Sequence, residues 1–143
     1  MEESNRLAGG RFEQELARRL ADAGFWVHVM QQNKAGQPAD LIAVKGKFHT
    51  LIDCKVVGEK NGFPFTRIEE NQRFAMRSFT RKTGELCYFA LKLADDSVWM
   101  ISLSRLETLA GRGAKGLSDD GIRKHAWDFE SWLSSSETWK EDV

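Results

Sequence analysis

The sequence predicts an α/β fold in which helices flank a mixed central sheet. Three observations lead there: an apolar residue at every fourth position near the N-terminus, two pairs of short β-rich runs that each close on a turn, and a second helical stretch between those pairs. The implied order is α-β-β-β-α-β-β-α, in 143 residues that leave room for one core. Residues 1–133 read as that single domain and 134–143 as a C-terminal tail.

From a cap at Ser4 or Asn5, the spacing of Phe12, Leu16 and Leu20 predicts an amphipathic helix that ends at Ala23 and Gly24. Phe25 to Met30 is rich in β-formers and reads as a strand, followed by a polar loop from Gln32 to Pro38. Ala39 to Val44 and Phe48 to Val57 read as a hairpin turning at Gly46. After a loop from Gly58 to Phe65, Thr66 and Glu69 have the spacing of a capping box, opening a helix that ends near Thr83 and Gly84. Leu86 to Leu93 and Val98 to Leu103 form a second hairpin, and Ser104 opens a short helix. Gly111 to Gly116 reads as a flexible linker, Ile122 to Trp132 as a closing segment of either type, and the chain beyond Leu133 as a frayed tail.

Composition narrows the function classes. The apolar content is that of an ordinary globular protein, which excludes disorder and collagen-like repeats. The longest apolar stretches fall far short of the roughly 18 residues of a membrane span, and the acidic start at Glu2 and Glu3 lacks the pattern of a secretory signal. A soluble, cytoplasmic protein is expected. Two cysteines, Cys54 and Cys87, are too few for a disulfide scaffold or a four-cysteine metal site and read as buried thiols. The net charge of zero hides an asymmetry: residues 1–92 carry 15 Lys and Arg against 11 Asp and Glu, the remainder 6 against 10. A basic half of this kind suits an anionic partner.

The central hairpin concentrates the chemistry. With an even connection at Gly46, residues whose numbers sum to 93 face each other, which sets Asp40 opposite Asp53. Two facing carboxylates repel unless a cation lies between them. Lys55, two residues beyond Asp53, points from the same face, whereas Ile52, Cys54 and Val56 form the opposite, apolar one. A three-residue loop would send the two acids to different faces.

On the first helix, Glu15 has Arg18 and Arg19 one turn on, which reads as a solvated, salt-paired face. Glu13 falls instead on the stripe of Leu16, Ala17 and Leu20, where a carboxylate either requires a partner or reaches water at the stripe's edge. The second helix repeats the anomaly with Gln72 among Ile68, Ala75, Met76 and Phe79, as a catalytic group or a hydrogen-bonded core residue. Arg73, Arg77 and Arg81, beside Arg67 and Lys82, make a basic ridge that either holds phosphates or is a solubilising face balanced by Glu69 and Glu70.

Gly10 to Leu16 with Glu13, Pro38 to Asp40, Ile52 to Lys55, and a helix bearing Gln72 together resemble the PD-(D/E)xK nuclease superfamily, and within it the Holliday-junction resolvases of the archaeal and RecU types. The resemblance covers roughly residues 9–103, and Gly62 to Phe65 is similar to the RecU-type segment ahead of the same helix. Ala39 separates Pro38 from Asp40, Asp53 stands where glutamate is commoner, and the span before Asp40 is too short for the RecU stalk.

The resemblance implies a restriction-endonuclease-like core and a metal-dependent endonuclease acting on branched DNA. It makes Asp40 and Asp53 ligands of Mg²⁺ or Mn²⁺, with Glu13 completing the acidic shell directly or through water and the backbone carbonyl of Cys54 a further ligand. Lys55 would orient the attacking water or steady the phosphorane charge, and Gln72 would position the water or a phosphate oxygen. His28, His49 and His125 have no zinc-like spacing. Arg11, Lys34, Arg67, Arg73, Arg77 and Arg81 are the candidate DNA contacts, and a homodimer would match the two-fold symmetry of a junction. The alternatives are a restriction or repair nuclease on duplex DNA, and a non-catalytic nucleic-acid-binding module whose binding would survive Asp53→Ala. Trp127, Trp132 and Trp139 serve either as an interface or as core.

Overall fold

The computed structural model describes residues 2–31, 37–58 and 62–141. Its central sheet has the strand order β1-β2-β3-β5-β6-β8, formed by β1 (Trp26–Val29), β2 (Leu41–Lys45), β3 (Phe48–Val56), β5 (Tyr88–Lys92), β6 (Val98–Ser102) and β8 (Trp127–Asp128). Only β3 and β5 pair in parallel, so the sheet is mixed, as the sequence predicts. A two-stranded ribbon joins β4 (Phe63–Pro64) to β7 (Gly116–Leu117).

Two cores form because the sheet is apolar on both faces. On one, α1 (Glu2–Asp22) lays Phe12, Leu16 and Leu20 against Leu41, Ile52 and Tyr88, and α5 (Phe129–Glu141) adds Phe129 and Trp132. Burying each such side chain stabilises the fold by about 1.5–3 kcal/mol. The other face carries Met76 of α2 (Glu70–Thr83), Leu103, Leu106 and Leu109 of α3 (Leu103–Gly111), and Ile122 of α4 (Asp119–His125) against Leu51, Phe89 and Leu91. Among the described residues no helix is long and apolar enough to cross a membrane.

Several boundaries depart from expectation. α1 begins at Glu2, ahead of the expected cap. Thr66 does not cap α2: residues Phe65–Arg67 form a 3₁₀ turn and Glu69 is the N-cap, three residues later than the Thr66–Glu69 spacing implies. α3 is capped by Ser102, whose hydroxyl accepts from the Arg105 N–H, rather than by Ser104. The expected linker ends in β7, where Gly116 faces Pro64; a Cβ at Gly116 would lie 2.8 Å from the Phe63 carbonyl oxygen, so close pairing requires glycine. The closing segment resolves into α4, β8 and α5, and the chain beyond Leu133 continues α5 to Glu141. Trp132 is fully buried among Phe25, Phe48, Tyr88 and Phe129, which makes it a core residue. Trp127 is half exposed, and the Trp139 side chain lies outside the described residues, as do Lys34 and most of the loop around it.

Candidate active site

The central hairpin fixes the site. Gly46 takes φ 61°, the left-handed value needed at the first position of a two-residue turn, and the ladder runs from Lys45 opposite Phe48 to Leu41 opposite Ile52. The last pair is Leu41 with Ile52, and Asp40 bulges out of that register beside the Asp53 end of β3. The ladder ends there, because the Asp40 N–H donates to the Ile52 carbonyl (3.0 Å) while its Oδ2 accepts from the Cys54 N–H (2.7 Å). Asp40 is thereby pinned to β3, next to Asp53.

Asp53 is only 1% exposed, because β3 is an interior strand with β2 on one side and β5 on the other. Gln72 Nε2 donates to its Oδ1 at 2.7 Å, and Lys55 Nζ lies 3.0 Å from its Oδ2. The amide of Gln72 is used at both ends: its Oε1 accepts from the Glu69 N–H (3.4 Å), closing the first turn of α2. α2 therefore starts where Asp53 needs a donor.

Burial pushes the Asp53 carboxyl up to about 7, with the Lys55 ammonium opposing the rise and the Asp40 charge adding to it. Glu13 rises to about 7 as well, through burial first and then through the charge of Asp40 and a hydrogen bond with it. The charge of Asp40 thus acts on both of the other acids. Burial also raises the Cys54 thiol, and the charges of Asp40, Asp53 and Glu13 raise it further. Both cysteines are free and buried, as expected.

This donor set fits a hard divalent cation. Its atoms are carboxylate oxygens, and the buried Asp53 Oδ2 has no hydrogen-bond donor, since Lys55 is close to it but not aligned. Among the described residues no three His, Cys, Asp or Glu side chains close on one point, so the fit is to an ion held by one or two carboxylates and water, the usual habit of Mg²⁺.

The basic side chains are less concentrated. Arg77 is engaged by both carboxylate oxygens of Glu107 on α3, and Arg73 lies 3.7 Å from Glu70. Arg67 donates to the Val56 carbonyl (2.9 Å) beside the site, while Arg81 is exposed. Glu15 does not pair along its own helix; it binds Lys92 of β5 at 3.1 Å, and Arg19 reaches Glu130 of α5. Lys92 carries no local signal in the sequence, yet with Arg11 and Val56 it lines a cavity of about 290 Å³ at the C-terminal ends of β3 and β5.

Comparison with known proteins decides the family. A model described as archaeal Holliday junction resolvase (Hjc) matches residues 4–137. The chain belongs to the archaeal Holliday junction resolvase family. Membership brings the family's activity class with it, a nuclease acting on branched DNA. Among solved structures, the chain is similar to Hjc, a Holliday junction resolvase from the archaeal hyperthermophile Archaeoglobus fulgidus. The TM-score is 0.67 at 22% identity, covering 87% of this chain and 99% of the other, a likeness of fold. No curated protein matches the chain.

Proposed function

We propose that the protein is a Mg²⁺- or Mn²⁺-dependent endodeoxyribonuclease that hydrolyses a phosphodiester in branched DNA at the Asp40–Asp53 site. The observation that carries this reading is the buried Asp53, anchored by Gln72, paired with Lys55 and pressed by Asp40. Repelling acids in an interior strand are costly unless a cation offsets them.

Asp40 and Asp53 would hold the metal in this reading, with Glu13 reaching it through water and the Cys54 carbonyl as a further ligand. A bound divalent ion supplies an activated water and neutralises charge on the phosphate. Lys55 places an ammonium beside the reacting phosphate, where it steadies the charge that builds on the non-bridging oxygens. Gln72 is a positioning residue: its donor is committed to Asp53, so it aims the carboxylate rather than the water. Glu13, pushed up to about 7 by burial and by the charge of Asp40, is poised to exchange a proton near neutral pH. Arg11 and Arg67 flank the site and take neighbouring phosphates. A two-fold junction calls for two such sites, hence a homodimer, and a cytoplasmic location goes with that substrate.

The test is incubation with labelled four-way junctions, flaps and plain duplex in Mg²⁺. Cleavage of branched substrates that is lost in Asp53→Asn is the expected result. A folded protein that cuts none of them would overturn the reading.

A further inference from the structure

The register carries past the acids to the edge of the sheet. On the face beneath α2, two rows run across the first three strands, His28, Ile42 and Leu51, then Trp26, Val44 and His49, and alternation along β3 puts Asp53 on the same face as Leu51. Val27 and Val29 pack into the opposite core, so Trp26 and His28 share the face that bears Asp53. Met30 and Ile42 pack against the core under α2 and His49 meets Phe79, but among the described residues the cover stops short of Trp26 and His28. Trp26 is 61% exposed and His28 is exposed, their rings within 10° of parallel and 6.2 Å apart between centroids.

We propose that Trp26 and His28 form a stacking platform for an unpaired base of the DNA strand whose phosphate reaches Asp40 and Asp53. The proposal rests on the nuclease reading above. Three observations favour a nucleobase as the occupant. The platform consists of two flat π faces in parallel, which suits a flat aromatic ligand of any base identity. It lies on the same face as Asp53, about 7 and 13 Å along β1 from Met30, whose N–H donates to the Asp40 carbonyl, at about 3.3 Å per residue, within a few nucleotides of the reacting phosphate. Stacking on it takes a base out of its own stack, which costs less at a branch point, where stacking is interrupted, than inside an intact duplex. The aromatic pair would thus favour branched over plain DNA without reading sequence.

The experiment uses four-way junctions with 2-aminopurine at crossover positions, titrated in EDTA with wild type, Trp26→Ala and Trp26→Phe. Wild type should quench at least one crossover position. Trp26→Ala should lose that quench and lower the ratio of junction to duplex affinity roughly tenfold, and Trp26→Phe should restore most of both. A Trp26→Ala protein that melts like wild type and keeps quench and ratio overturns the platform, as does a change in its oligomeric state by light scattering, which would make this edge an interface between copies. Cleavage by wild type in Mg²⁺ is scored separately. Junction cutting without a Trp26-dependent quench defeats the platform alone, while a quench without any cutting defeats the nuclease reading alone.

Discussion

Replacing Asp53 by asparagine should change how stability depends on pH before any DNA is added. The carboxyl is pushed from an ordinary 3.8 to about 7 in the folded chain, mainly by burial. An acid held above its unfolded value favours the folded state fully below about pH 4, and that contribution is lost as pH rises toward 7. The gap corresponds to on the order of 4 kcal/mol at ~1.4 kcal/mol per pH unit. Metal-free wild type should therefore weaken from pH 4.5 to pH 8, and Asp53→Asn, which cannot titrate but keeps an acceptor for Gln72, should weaken much less. Glu13 rises for similar reasons and leaves a residual slope in the variant. Magnesium should offset more than half of that loss in wild type only. At a hundredfold excess over its dissociation constant it adds about 2.7 kcal/mol, and it does so where the acids are ionised. Urea denaturation in EDTA and in Mg²⁺ across this range reads both effects. Parallel pH slopes in the two proteins would refute the argument that Asp53 sits under strain awaiting a cation.

Gln72→Ala removes the donor to Asp53 Oδ1 and should cost about 1–3 kcal/mol; the pH midpoint of Mg²⁺-dependent cleavage should move upward, and an unmoved midpoint would deny Gln72 its positioning role. Lys55→Ala takes away the charge that opposes burial, so cleavage should fall at least a hundredfold, and thermal stability should suffer more at pH 8 than at pH 5, where Asp53 escapes by protonation. Equal losses at both values would place Lys55 outside the pair. Trp132→Ala should cost about 3–5 kcal/mol, visible as a lowered denaturation midpoint; a midpoint within about 0.5 kcal/mol of wild type would mean that the ring is not in the core.

What could be read from the chain in advance was whatever depends on counting. A turn at Gly46 and alternation along a strand suffice to put Asp53 and Lys55 on one face and to bring Asp40 to the facing end of the hairpin, although Asp40 itself bulges out of the even-loop register. The start of α2 was misplaced for the same reason that the rest was legible: Thr66 and Glu69 have the spacing of a capping box, but so do Glu69 and Gln72, and only the second pair also satisfies a buried carboxylate on β3. Local spacing likewise gave Glu15 to Arg18 and Arg19, while the fold gives it to Lys92, 77 residues away. β8 has only two residues and exists because β6 leaves an edge to pair with. The electrostatics of the site belong to this non-local class. Alternation could place the Lys55 ammonium beside Asp53, and by itself that pairing would lower the carboxyl. The carboxyl rises instead because β2 and β5 close over both sides of β3 and Asp40 is locked against it by the Cys54 N–H. The demand for a cation is therefore set by the assembled sheet and not by the three residues that would meet it.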